Sequence, residues 1–217
     1  MKKNTLSFDV HWYRRVFHTF AACFLIYYML PDVEWVNIIK IWLPISIVTF
    51  AILLELLRVK GKINSDHFFG LRMYEKNRIG SYLYFGIAVF ILLIFFPQKI
   101  AIPCILCGCF ADPLIGEIRN HFGKIQLYLA GFLICMIFFV VAWYKADLWV
   151  GIFMSIVGAT GAVMGEVKKF SWLDDDFMIQ IIPAVMLIVL WMILVKTGIV
   201  DFSFIEQPVI YPLNIPW

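Results

Sequence analysis

Residues 174–200 read DDDFMIQIIPAVMLIVLWMILVKTGIV. From Phe177 to Val200 the only formal charge is Lys196. A helix rising about 1.5 Å per residue crosses a hydrocarbon core of ~30 Å over that length. Working outward, runs of the same character fall at 16–31, 36–57, 81–97, 100–116, 125–144 and 147–165. The fold class expected is therefore all-α, a polytopic transmembrane helical bundle of about seven helices. The run at 100–116 is the weakest of them. It contains Pro103 and Pro113 and is apolar only from Ile100 to Ala111, so a bent or incomplete span is expected there.

Composition agrees. Hydrophobic residues make up 63% of the 217, charged residues 15%, and the mean hydropathy is +0.88. A soluble domain of this length has no interior for so much apolar surface. The net charge of +3 is too small to point to nucleic acid. Lys2-Lys3 leads into a charged, aromatic stretch with no small-residue cleavage site after it, so no secretory leader is expected. Five cysteines, mostly inside apolar runs, imply no disulfide framework. Cys104, Cys107 and Cys109 read as small packing residues, as do Gly158, Gly161 and Gly165. The chain 1–217 reads as a single domain, with an interfacial segment at 1–15 and an extracytoplasmic tail at 201–217.

Orientation follows from the cations. Fourteen of the 18 Lys and Arg lie in the amino terminus and in the 58–80, 117–124 and 166–176 connections. Lys40, Lys99, Lys145 and Lys196 are at the other ends of the helices. The amino terminus is thus expected in the cytoplasm. Acids carry no such bias as a rule, yet Glu55, Asp66, Glu75, Asp112, Glu117, Glu166 and Asp174-Asp175-Asp176 crowd the same face. Both signs gathered at the ends of apolar helices point to an anionic ligand accompanied by a metal.

Four groups carry that chemistry. Arg14, Arg15 and His18 open the first span, with His18 about one turn beyond Arg14 on the same helix face, a donor set for phosphate as well as an inside anchor. Glu55 and Arg58 end the second span, and Arg72 and Glu75 follow in the next connection. Asp112 sits near the end of an apolar run, where an acid is costly. Gly116, Gly123 and Lys124 after it allow close approach to phosphate oxygens. Glu166 closes the sixth span before Asp174-Asp175-Asp176. Three adjacent acids exceed what helix capping requires and suit Mg²⁺.

In this order the pieces resemble the membrane-bound CTP-dependent lipid-alcohol kinases: dolichol kinase, phytol kinase and the fungal-type diacylglycerol kinase. The resemblance covers Arg14 to about Ala184 and rests on five groups of residues. Arg14-Arg15 with His18 is similar to the family's opening motif. Glu55 with Arg58 resembles its helix-ending motif, and Arg72, Glu75 and Gly80 the one that follows. Gly108 through Lys124 looks like its Gly-rich block. Glu166 with Asp174-Asp175-Asp176 is similar to its last acidic motif. Where the family carries Gly-Asp, this chain has Gly108-Cys109, and Asp112, about one helical turn on, is expected to present the acid from the same face.

The resemblance implies transfer of the terminal phosphoryl group of CTP to the hydroxyl of a long-chain lipid alcohol, a polyprenol, phytol, geranylgeraniol or diacylglycerol. Asp112 is then the residue at the hydroxyl, with Glu75 in reserve. Arg14, Arg15, His18, Arg72, Gly116, Gly123 and Lys124 face the phosphates, and Glu166, Asp174 and Asp175 hold Mg²⁺. Two other readings stay open: a CTP-dependent cytidylyltransferase making a CDP-lipid, and a small-molecule transporter. The transporter reading would want midplane charges and repeat symmetry.

Overall fold

The computed structural model describes residues 10–65, 68, 71, 75–76, 78–118, 123–167 and 173–213, with the backbone alone at 10–12 and 14. Every regular element among the described residues is helical. The chain runs as α1 (Val10–Phe20), a 3-10 turn at Ala21–Leu25 and α2 (Ile26–Met29), then α3 (Glu34–Val59) and α4 (Ser81–Phe95). Next come α5 (Gln98–Leu106), a π-turn at Cys107–Ala111 and α6 (Asp112–Ile118). After these are α7 (Lys124–Trp143), α8 (Leu148–Val167), α9 (Asp175–Lys196) and the short α10 (Ser203–Glu206). α1 begins inside the 1–15 stretch read as an interfacial segment.

Five stretches are long and apolar enough to cross a membrane: α3, the continuous Gln98–Ile118 path, α7, α8 and α9. The chain is an integral multi-pass membrane protein. α4 is apolar but shorter. The weak fourth run is continuous and helical, with the irregularity confined to its π-turn.

Local sequence sets the helix ends. Gly61 and Gly198 take positive φ, 71° and 73°, just past the ends of α3 and α9. At each, the next N–H reaches back to close the last turn: Lys62 to the Leu57 carbonyl at 2.9 Å, Ile199 to the Leu194 carbonyl at 3.1 Å. These are Schellman caps, and they satisfy carbonyls that a helix end leaves open.

Two glycines set how closely α8 and α9 approach. A Cβ on Gly165 would lie 2.5 Å from the Met178 carbonyl oxygen, and one on Gly161 would lie 2.8 Å from Pro183 Cα. Gly158 instead receives the ring of Phe139 from α7. α5 is enclosed by α4, α7 and α9. α3 is peripheral, its apolar side chains largely exposed for lipid, and it packs on α4.

The residues after α9 close one end of the bundle. The Lys99 ammonium donates to the Phe204 and Gln207 carbonyls at 2.8 and 3.1 Å. The Gln98 amide oxygen accepts from the Val209 and Ile210 N–H groups, each at 2.9 Å. Leu213 N–H reaches the Met29 carbonyl, also at 2.9 Å. Lys40, at this same end, donates to the Leu30 carbonyl at 2.9 Å. Two of the four minority-side lysines are thus engaged with backbone carbonyls, which gives them a structural task.

Candidate functional site

Pro113 shapes the site. It has no N–H to offer the Cys109 carbonyl and its ring would press on that carbonyl in a regular α-helix. The backbone responds with the π-turn, in which Asp112 N–H reaches five residues back to the Cys107 carbonyl. Within the turn, the Gln180 side chain lies so close to Gly108 that a Cβ there would fall 2.8 Å from Gln180 Cγ. The π-turn lies between Cys109 and Asp112, the two positions expected to share a helix face. Cys109 is wholly enclosed, whereas Asp112 is half-buried and reaches a different neighbour.

That neighbour is His18. Ligating atoms of His18 in α1, Asp112 at the start of α6 and Asp176 in α9 all lie within 4.8 Å of one another. His18 Nε2 stands 3.7 Å from Asp176 Oδ2, and both side chains are almost fully buried. The His18 ring also packs edge-on against Phe85 of α4, with centroids 4.8 Å apart, which fixes its plane. Residues 18, 112 and 176 are thus brought together from three helices at the end of the bundle opposite the 203–213 closure.

Asp174, Asp175 and Asp176 form a second trio within the same 4.8 Å limit, sharing Asp176 with the first. Their roles divide. Asp174 is the N-cap of α9, its carboxylate accepting from Asp176 N–H at 3.3 Å. Asp175 is half-buried, and Asp176 points into the bundle. Burial first, then the hydrogen bond with Asp175 and the charges of Asp176 and Asp175, pushes the Asp174 carboxyl up to about 8. Acids this close do not all ionise unless positive charge is added. Gln180, one turn into α9, donates its amide to the Asp176 carbonyl at 2.9 Å. Glu166 is buried at the end of α8 but belongs to neither trio.

Glu75 has a different setting. Arg58, wholly enclosed, uses all five of its N–H groups. Two go to Glu55 at 2.7 and 2.8 Å, and three to the Arg78, Lys76 and Glu75 carbonyls at 2.6, 3.0 and 3.1 Å. Glu55 in turn accepts the Gly80 N–H at 2.5 Å and the Tyr82 hydroxyl. The pair is a clamp that fixes the residues leading into α4. It holds Glu75 by its backbone, with the residue buried, and Glu75 belongs to neither trio.

Of the other expected phosphate-facing residues, Arg15, Gly116, Gly123 and Lys124 are described. Arg15 pairs with Glu117 of α6, joining α1 to the residues after the π-turn. The Arg14 side chain and Arg72 lie outside the described residues. Gly116 sits inside α6, where a Cβ would meet nothing within 4 Å. Gly123 caps α7 with extended backbone, its N–H bonded to the Gln126 amide oxygen at 3.2 Å. Lys124 is exposed in the first turn of α7. The sequence marked Asp176 only as one of three adjacent acids and gave the ligand role to Asp174 and Asp175, whereas Asp176 is the one common to both trios; Gln180 was not singled out at all. An amide one turn after an acid, in an otherwise apolar helix, was the available signal.

No protein-family model, no curated protein and no solved structure matches the chain.

Proposed function

We propose that this protein is a membrane-embedded lipid kinase that transfers the terminal phosphoryl group of CTP to the hydroxyl of a long-chain lipid alcohol. The observation that carries the reading is the meeting of His18, Asp112 and Asp176 beside the Asp174-Asp175 pair at one end of an apolar bundle. Membrane helices do not gather buried charge without a use for it. The finer topology belongs to the same proposal: seven spans, with the amino terminus and the acidic site cytoplasmic and residues 201–217 on the opposite side. Fourteen of 18 cations at that end support it.

Phosphoryl transfer asks the protein mainly for positioning and charge neutralisation. The alcohol's tail lies among the helices and its hydroxyl meets the nucleotide at the bundle end. Asp112 orients that hydroxyl and accepts its proton. Arg14, Arg15, His18, Arg72 and Lys124 neutralise phosphate oxygens, Gly116 and Gly123 admit them to the backbone, and Glu75 is the alternative base. Asp174 and Asp175 fit a hard divalent cation, because their oxygens are clustered with that of Asp176 and burial together with the neighbouring acids keeps the Asp174 carboxyl raised; Glu166, buried at the end of α8, is the third ligand in this reading. When bound, Mg²⁺ supplies positive charge to the triphosphate.

The test is phosphorylation in detergent, crossing the four nucleoside triphosphates with a polyprenol, phytol, geranylgeraniol and diacylglycerol. CDP and a lipid phosphate are expected. Release of pyrophosphate with a CDP-lipid, seen only when the corresponding lipid phosphate replaces the alcohol, would make the protein a cytidylyltransferase instead, and absence of turnover with every nucleotide–alcohol pair would end the kinase reading.

A further inference from the structure

We infer that His18, Asp112 and Asp176 form a resident transition-metal site, separate from the nucleotide's Mg²⁺ and sharing Asp176 with the Asp174-Asp175 pair. The inference rests on the kinase reading only for its purpose, since the site is built from this chain's own side chains.

Geometry comes first. The 3.7 Å between His18 Nε2 and Asp176 Oδ2 is too long for a hydrogen bond. It is the separation of an ion pair when His18 is protonated, and it also falls within the span of two ligands on one ion, which at about 2.1 Å from the ion lie roughly 3.0 to 3.7 Å apart. Asp112 brings a third atom within 4.8 Å of both. The three come from α1, α6 and α9, so no local turn or cap accounts for their meeting.

Gln180 is the second observation. It is wholly buried between Asp176 and the π-turn, its amide N–H held by the Asp176 carbonyl. Its amide oxygen has no hydrogen-bond donor among the described residues. Burying such an acceptor is costly. A water ligating an ion beside Asp176 is a donor of the kind that oxygen needs.

Chemistry then selects the ion. A ring nitrogen with two carboxylates favours Mn²⁺ or Zn²⁺ over Mg²⁺, which holds to oxygen ligands and its own waters. Asp176, common to both trios, is positioned to bridge this ion and the one that accompanies the nucleotide. That is the arrangement of two-metal phosphoryl-transfer sites, whose ions lie about 3.5–4 Å apart.

The experiment uses the full chain, stripped with EDTA in detergent and titrated with Mn²⁺, followed by EPR. One tightly held Mn²⁺ with ¹⁴N coupling is expected, the coupling replaced by a ¹⁵N pattern after ¹⁵N-histidine labelling. Of the four histidines, only His18→Gln should abolish it, while His11→Gln, His67→Gln and His121→Gln keep it. Asp176→Asn and Asp112→Asn should weaken binding at least tenfold, and Zn²⁺ should displace Mn²⁺ where equal Mg²⁺ does not. Failure to retain Mn²⁺, retention without nitrogen coupling, or coupling that survives His18→Gln would each overturn the site. Nitrogen coupling without any lipid phosphorylation would leave the site standing and remove the kinase reading. Phosphorylation without the coupling would do the reverse.

Discussion

Arg58 carries a fully satisfied buried charge, and its replacement tests the fold at the entry to α4. All five guanidinium N–H groups have acceptors, two on Glu55 and three on the carbonyls of residues 75, 76 and 78. Arg58→Lys keeps the charge but offers three donors, so at least two acceptors lose their partner. At about 1 kcal/mol for each net hydrogen bond, the loss is about 2 kcal/mol. Arg58→Leu leaves Glu55 buried with only the Gly80 N–H and the Tyr82 hydroxyl. Breaking a buried pair from one side costs about 3–5 kcal/mol. For a chain of this size each kcal/mol lowers Tm by roughly 2–4 °C. The expected falls are therefore roughly 4–8 °C for Lys and about 6–20 °C for Leu. The buried thiols of Cys104, Cys107, Cys109 and Cys135 are the natural reporter, read with a thiol-reactive fluorophore during heating in detergent. If Arg58→Leu melts within about 2 °C of the unmodified protein, below the smallest fall expected, or if Lys is worse than Leu, the clamp does not hold the α4 entry as argued.

Three further outcomes are expected. Gly165→Ala places a Cβ 2.5 Å from the Met178 carbonyl oxygen and should cost about 1–3 kcal/mol by parting α8 from α9, whereas Gly86→Ala, with open space around it, should not lower Tm; equal melting of the two would show that the helices are not so closely apposed. Asp174 ordinarily titrates at 3.8 and is raised to about 8. Between these values the folded state holds a proton that the unfolded state has released, so in EDTA stability should fall as pH rises from about 4 to about 8. Asp174→Asn should flatten that slope, and an unchanged slope would remove Asp174 as its origin. Single cysteines at residues 60–62, in a background with the five native ones replaced, should label from the cytoplasm and those at 201–213 from the other side. Labelling of both from one side would refute the seven-span topology.

The class of protein was legible in the sequence because lipid imposes one requirement that composition reports directly. Backbone polar groups in hydrocarbon must be satisfied within a helix, so long apolar runs such as 177–200 declare themselves without any knowledge of their neighbours. The run of acids at 174–176 and the isolated Asp112 were visible for the same reason, as charges placed where charge is costly. Gly61 and Gly198, whose positive φ closes α3 and α9, are also local features.

The composition of the site was decided by tertiary packing. Sequence order could not tell which of three adjacent acids faces inward, because a helix turns about 100° per residue and the start of α9 fixes the phase. That start makes Asp174 the cap and turns Asp176 toward His18. Asp112, just after the π-turn, meets His18 and Asp176 only because α1, α6 and α9 pack together. Arg58 shows the other half of the lesson. Its i, i+3 spacing from Glu55 is local, but the three carbonyls it gathers come from a connection seventeen to twenty residues away. Only the folded chain, in which α3 leans on α4, brings that connection within reach of one guanidinium.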